Sequence, residues 1–315
     1  MTMDGGEQKS VEQKSMEQKK TERKSENSYV VYAGITTVIW ATAVVFTQEA
    51  QESFSSQSIG VIRYLFATAA ILAVMAVKRI GPPKLKDVPK FLLSGFLGFA
   101  CYVTAFNLAV ETITGATCSI IAQIIPILTA VLSCVFLGEK IPLRGWAAIV
   151  MAFGGILVMA LWNGAFSVNP GILWMLLAAI SLSVYNLTQR LFIRDYTAFQ
   201  STAYSIVGGT LFLLAFLPGA VPEMETATAV SWGAVAYLGV FGGAVAYVFW
   251  TKAFSLARRT SDVSNFMFAQ PLIASLAGFV FRGEVPGMET VLGGILVLGG
   301  MFLFQTGRNP RSEVP

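Results

Sequence analysis

Residues 115–159, GATCSIIAQIIPILTAVLSCVFLGEKIPLRGWAAIVMAFGGILVM, lie over residues 260–304, TSDVSNFMFAQPLIASLAGFVFRGEVPGMETVLGGILVLGGMFLF, at an offset of 145. Pro126 meets Pro271, Gly138-Glu139 meets Gly283-Glu284, and Gly154-Gly155 meets Gly299-Gly300. Upstream the offset is 144: Gly95 and Gly98 meet Gly239 and Gly242, and Phe106 and Ala109 meet Trp250 and Ala253. Near the start of each half the pair TQ recurs, at 47–48 and 188–189. The chain is therefore read as a duplication, and self-similarity of this length fixes the architecture before any motif does.

Composition says what is duplicated. Of 315 residues 55% are hydrophobic and 13% charged, against roughly 25% charged in an ordinary soluble domain. Mean hydropathy is +0.64. Residues 1–28 hold six Lys/Arg and six Asp/Glu, so the remainder is more apolar still. A soluble globule, a collagen and a wholly disordered chain are excluded. There is no histidine, which removes the usual general base and the commonest metal ligand. Cys101, Cys118 and Cys134 are odd in number and sit in apolar runs, so neither a disulfide frame nor a thiolate metal site is indicated. No Gly-rich GK[ST] segment is present to bind a nucleotide, and no cofactor is expected.

From Tyr29 onward, ten apolar stretches approach the roughly 20 residues needed to cross a bilayer. They run about 29–47, 56–77, 88–108, 114–137, 142–162, 170–193, 198–217, 230–252, 261–281 and 286–306. Helices are expected, because lipid offers backbone groups no partners and the alternation of a barrel strand is absent. The expected fold is all-α and integral to the membrane. A polar tail (1–28) with repeated EQKS units precedes a first five-helix repeat (29–162), a second (163–306) and a short closing tail (307–315). With the tail inside, twenty of the 22 basic residues fall on the cytoplasmic side, as the positive-inside rule requires. Both termini are thus expected in the cytoplasm, with the protein in the inner membrane. The modest net charge of +4 invites this orientation reading rather than nucleic-acid binding.

Five is odd, so the second half must cross the membrane in the opposite sense to the first, and inverted repeats are a transporter architecture. A membrane enzyme acting on lipid, the reading from another class, would need a cluster of acids or nucleophiles at one interface. The sequence offers none.

Trp40 in the first helix, Arg63-Tyr64 opening the second, a mid-helix Pro followed by FLGE or FRGE, and a GG-containing last helix in each half resemble the EamA branch of the drug/metabolite transporter superfamily. The resemblance covers about residues 29 to 306. It implies a ten-helix bundle in which helices 1–4 and 6–9 surround a cavity, helices 5 and 10 lie outside, and the cargo is a small metabolite, often an amino acid, commonly exported. Arg258-Arg259 and Lys252 depart from the family's usual apolar or small residues.

Polar side chains at mid-depth in lipid are candidates by default. Gln123 and Gln270 precede Pro126 and Pro271, and each proline frees a carbonyl that a ligand can use; the alternative is a simple bend. Tyr102 and Asn107, with Tyr247 and Lys252, occupy nearly repeat-related places and read as paired gates, although Lys252 could instead snorkel to the interface. Arg63 could grip a carboxylate or phosphate, or pair with Glu49 or Glu52. Trp40 and Tyr185 read as cavity walls, Asn186 as a polar contact and Trp250 as an interface anchor. Glu139, beside Lys140 and Arg144, and Glu284, beside Arg282, read as ion-paired latches.

No carboxylate falls near the middle of a predicted helix, so facilitated diffusion or exchange is expected. Amino acids or related zwitterions are the leading cargo. Phosphorylated or nucleotide-sugar metabolites are the rival, favoured if Arg63 and Lys252 share the cavity. Glycine pairs in helices 5 and 10 suggest a homodimer through them.

Overall fold

The computed structural model describes residues 28–110 apart from 44 and 48, then 121–162, 171–282 and 287–306. The EQKS tail, Gln48, Cys118, Gly283, Glu284 and the closing tail lie outside the described residues. Among those described there is no strand. In order come α1 (Ser28–Gln51), α2 (Ser56–Val77), α3 (Val88–Gly95), a π-helical segment (Phe96–Cys101), α4 (Tyr102–Val110), α5 (Ile124–Leu137), α6 (Leu143–Leu161) and α7 (Gly171–Phe192). Then follow α8 (Ala198–Leu213), α9 (Leu217–Thr226), α10 (Ala229–Tyr237), a second π-helical segment (Leu238–Val245), α11 (Ala246–Leu256), α12 (Thr260–Ser264), α13 (Gln270–Arg282) and α14 (Met288–Thr306). Six helical stretches are long and apolar enough to cross a bilayer, and shorter apolar helices accompany them.

Local chemistry sets the helix ends. Ser55 accepts from the Ser58 N–H at the start of α2, and Thr197 forms a capping box with Gln200 at the start of α8. Gly138 ends α5 with φ 68°, a left-handed backbone that a side chain would strain.

Two expectations change. The ninth span, read as one helix over 261–281, is broken: α12 gives way to a 3₁₀ turn at Asn265–Ala269, and α13 begins at Gln270. Pro271 has no N–H for the Met267 carbonyl and its ring would collide with it, and the tighter turn takes up the conflict. Gln123 is likewise a turn residue before α5, so each proline stands in the first turn of a helix rather than in the middle of one. The stretch after α8, read as a loop, is helical as α9: Pro218 sits in its first turn, where a missing N–H costs nothing, and Pro222 lies inside it.

Close glycine contacts fall at positions that correspond in the sequence repeat. A Cβ on Gly95 would lie 2.3 Å from the Ser205 carbonyl and 2.4 Å from the Gly209 N in α8. A Cβ on Gly239 would lie 2.5 Å from the Arg63 carbonyl and 3.3 Å from the Ala67 N in α2. Each half thus seats a glycine of its third span on the second span of the other half. A Cβ on Gly155 would lie 2.5 Å from the Gly293 carbonyl, and one on Gly300 would lie 2.7 Å from the Ala148 carbonyl, so α6 and α14 pack by the same rule. The two π-helical segments also match by position. Gly155 and Gly300, two of the glycines expected at a dimer contact, are used inside the chain, whereas Gly154 faces open space.

Candidate functional site

The π-helical segments, α1, α2, α7 and α11 meet around a chain of aromatic rings. Trp40 lies 5.0 Å from Tyr247 and 5.1 Å from Trp250 between ring centroids. Tyr247 lies 4.9 Å from Phe99 and 5.8 Å from Tyr185, and Phe99 lies 5.1 Å from both Tyr185 and Tyr64. Such pairs are worth about 0.5–1.5 kcal/mol each beyond their buried area. Glycine makes the approach possible: a Cβ on Gly98 would stand 2.2 Å from the Tyr185 ring.

Arg63 brings a charge to this ring of aromatics. Its guanidinium carbon is 5.6 Å from the Tyr64 ring centroid, and a guanidinium nitrogen lies 3.4 Å from where a Gly242 Cβ would be. The Trp40 indole N–H donates to the Gly242 carbonyl at 3.1 Å, so Arg63 and Trp40 flank one residue. Tyr102 packs against the same buried cluster as Tyr64, Tyr185 and Tyr247. The Tyr64 hydroxyl lies towards Tyr247 and the Tyr185 hydroxyl towards Thr202 and Thr251, while the Arg63 Nε and the Gln123 Oε1 are buried without a hydrogen-bond partner. Buried polar groups are seldom left so; water or a ligand is the ordinary partner.

Trp40, Arg63, Tyr102, Tyr185 and Tyr247 are therefore brought together, and Asn186 joins them by accepting from the Trp250 indole N–H at 3.1 Å. Trp250 is 1% exposed and is part of this centre, not an interface anchor. Its place near a helix end had suggested otherwise, because depth in the bundle cannot be read from position along one helix. Gln270 opens α13 half-buried, and Pro126 and Pro271 start their helices as described above. Lys252 is half-buried on α11, and the cations that stand over rings among the described residues are Arg63 and Lys78.

A second polar group lies beside the rings. Gln189 donates to Ser94 (3.3 Å) and Ser205 (3.1 Å) and accepts from Ser201 (2.6 Å). Thr202 donates to Thr251 at 2.7 Å. These residues join α3, α7, α8 and α11. Sequence reading named Gln189 without a role and passed over the hydroxyls, although Thr251 stands at the repeat position of Asn107.

Both ends of the bundle carry a carboxylate that caps a helix of the other half. Glu223 accepts from the Ser55 N–H at 2.7 Å, at the end where Asn107 donates to the Ser56 carbonyl at 2.6 Å. Rings close over that end, with Phe46 4.0 Å from Tyr237 and Phe54 5.3 Å from Trp232. At the opposite end Glu139 accepts from the Thr260 N–H (2.7 and 2.9 Å) and the Thr260 hydroxyl (2.6 Å). Its partner is thus Thr260 rather than Lys140 or Arg144. Arg259 donates to the Lys140 carbonyl at 3.0 Å and lies 3.6 Å from the buried Asp262. Asp262 escaped sequence reading because it lies at the first turn of the ninth span.

Residues 27–161 and 169–306 each match the EamA-like transporter family. The chain is 30% identical over 269 residues to YdfC of Bacillus subtilis, described only as an uncharacterized transporter, covering 84% of this chain and 86% of that one. It is 26% identical over 292 residues to a "probable terminal-alkyne amino-acid exporter" of Streptantibioticus cattleyicolor, covering 91% and 98%. An S-adenosylmethionine uptake transporter of Rickettsia prowazekii is 25% identical over 246 residues, covering 77% and 80%. A protein of known crystal structure shares the fold with a TM-score of 0.76 at 18% identity, over 89% of this chain and 99% of that one.

Proposed function

Because this chain belongs to the EamA-like transporter family, we propose that it moves amino acids or related zwitterions by alternating access between two inverted five-helix halves of a ten-helix bundle. The tail, residues 29–162, residues 163–306 and the closing tail are the units of this reading, with both termini in the cytoplasm of a cell whose inner membrane holds the protein. One observation carries the cargo class: the Arg63 guanidinium, its Nε buried and unpartnered, stands among aromatic rings where the halves meet. A planar donor fork suits a carboxylate, and ring walls suit an apolar body. The amino-acid exporter among its relatives supports the same class. A phosphorylated or nucleotide-sugar cargo would call for a second cation, and among the described residues Arg63 is the cation seen over these rings.

The crossed glycine seats and the matched π-helical segments support the inverted halves, since each contact has its repeat-related counterpart. The Glu223 and Glu139 caps then belong to an outer and an inner gate, with Glu284 the counterpart of Glu139. Transport runs down the cargo's own gradient or by exchange, with net export in the cell. Self-association would use the outward faces of α6 and α14, where Gly154 is free.

Proteoliposomes preloaded with unlabelled leucine or phenylalanine test this. Labelled amino acid should accumulate by counterflow, insensitive to a protonophore, and Arg63→Gln should abolish it. Accumulation that requires an imposed pH gradient would replace the facilitative reading with proton coupling.

A further inference from the structure

The two ends of the bundle treat their polar side chains differently. At the end that Glu223 closes, Ser231 donates to Ser53 at 2.9 Å, Ser55 donates to Ser58 at 2.9 Å, and Asn107 donates to the Ser56 carbonyl. At the end that Glu139 closes, such pairing is seen on one side. Between α3, α7, α8 and α11, Gln189, Ser94, Ser201, Ser205, Thr202 and Thr251 bond to one another. On the other side α12 and the 3₁₀ turn lie against α5. There the hydroxyls of Ser133, Ser261 and Ser264 and both polar atoms of the Asn265 amide are buried without a hydrogen-bond partner. The three serines are 0% exposed and Asn265 is 5% exposed.

Two contacts bracket these side chains. Thr260 meets Glu139 just beyond the end of α5, and Phe268 shares a buried cluster with Ala130. Ser133 lies one turn after Ala130, while Ser264 and Asn265 lie between Thr260 and Phe268, so all three fall in the same stretch of the seam. Asn265 also borders Ala148, Ile149, Ala152 and Phe304, whose side chains offer it no bond. A buried polar group left unpaired costs its full desolvation, and that cost is recovered when water reaches it; an apolar group of similar shape carries no such cost. Closing this seam strips water from the four side chains and gives them no bond in return.

We infer that the inner end opens along the seam between α5 and α12, that wetting of Ser133, Ser261, Ser264 and Asn265 drives the opening, and that this seam is the cargo's route to the inner side. The inference rests on the reading of Glu139 and Thr260 as a gate, and is independent of which cargo passes. Opposed forces meet there. The Glu139 cap and the bond from Arg259 to the Lys140 carbonyl hold the end shut, and the unpaired hydroxyls and amide favour water. The hydroxyls between α3, α7, α8 and α11 would lose bonds if that side parted, so it stays together while the α5 side separates. Polarity in the seam is thus a device for release, and taking it away strengthens the closed end.

The test uses full-length protein with Cys101, Cys118 and Cys134 replaced by serine and Ser261→Cys as the reporter. Maleimide labelling rates and melting midpoints are measured for Ser133→Ala, Ser264→Ala and Asn265→Leu, with Ser205→Ala, on the paired side, as the contrast. The first three should slow labelling roughly threefold or more, the scale of one relieved desolvation cost, with a midpoint equal to or above that of the reporter protein. Ser205→Ala, which gives up bonds to Ser94 and Gln189, should lower the midpoint and leave labelling no slower. A merely structural hydroxyl would behave the other way, its loss lowering the midpoint and speeding the reagent's entry. Midpoints of Ser133→Ala and Ser264→Ala that fall as far as that of Ser205→Ala, or labelling at the reporter protein's own rate, overturn the inference and leave the gate standing. A reporter that never reacts in the protein without further substitution overturns the gate and the inference together.

Discussion

A glycine at 95 is required by the backbone of α8, not by flexibility, since the nearest atoms to an added methyl would be the Ser205 carbonyl and the Gly209 nitrogen. Neither can turn aside as a side chain could. Gly95→Ala should therefore separate the halves slightly and destabilise the protein by roughly 1–3 kcal/mol, the usual scale of overpacking. Gly154→Ala, where nothing lies within 4 Å, should stay within about 0.5 kcal/mol of wild type. Melting midpoints of the two variants in the same detergent check the contrast, and equal midpoints would refute the seat. Trp40, Tyr185 and Asn186 were legible in the sequence as interior groups because each sits well inside its apolar run. Tyr64 was quoted beside Arg63 but given no role, because adjacency along a helix does not say which neighbour turns inward.

Elements were legible where the apolar runs were continuous and hidden where chemistry interrupts them. The ninth span reads as one helix by hydropathy, and only the conflict of Pro271 with the Met267 carbonyl explains why it breaks. α9 reads as a loop by its polarity, yet it supplies Glu223 to the start of α2. Glu139 was expected to form an ion pair with Lys140 or Arg144 at the end of its helix, and it accepts from Thr260 instead. Ion pairing looks to the nearest opposite charge, whereas the carboxylate here satisfies the N–H of Thr260 at a helix start. Glu139→Ala should cost roughly 0.5–2 kcal/mol, as the loss of a capping acceptor does, and Glu139→Gln, which keeps one acceptor oxygen, should cost less. With Ser261→Cys, at a buried neighbour of Thr260, as the reporter, the Ala variant should also raise the rate of maleimide labelling. An unchanged rate would remove Glu139 from the closure of that end.

At the scale of the whole molecule, the duplicated pattern of small residues told more than any single motif, because close packing leaves a mark in sequence wherever two backbones touch. Glycines 95 and 239, or 155 and 300, are visible as repeats before their partners are known. Which helix each one meets was not visible, since the contacts cross from one half to the other. The contrary sense of the halves is open to a sidedness measurement. With Cys101, Cys118 and Cys134 replaced by serine, Ser55→Cys at the start of α2 should react with an impermeant maleimide in intact cells, and Thr197→Cys, at the matching start of α8 in the other half, only after permeabilisation. Reaction of both from the same side would end the inverted reading. The crossed seats have one more effect, on how the chain can be divided. Since each half rests its third span on the second span of the other, neither completes its own packing, and a gene cut between codons 162 and 171 should yield two fragments that are degraded when made singly. Produced in one cell, they should find each other and survive as a non-covalent pair.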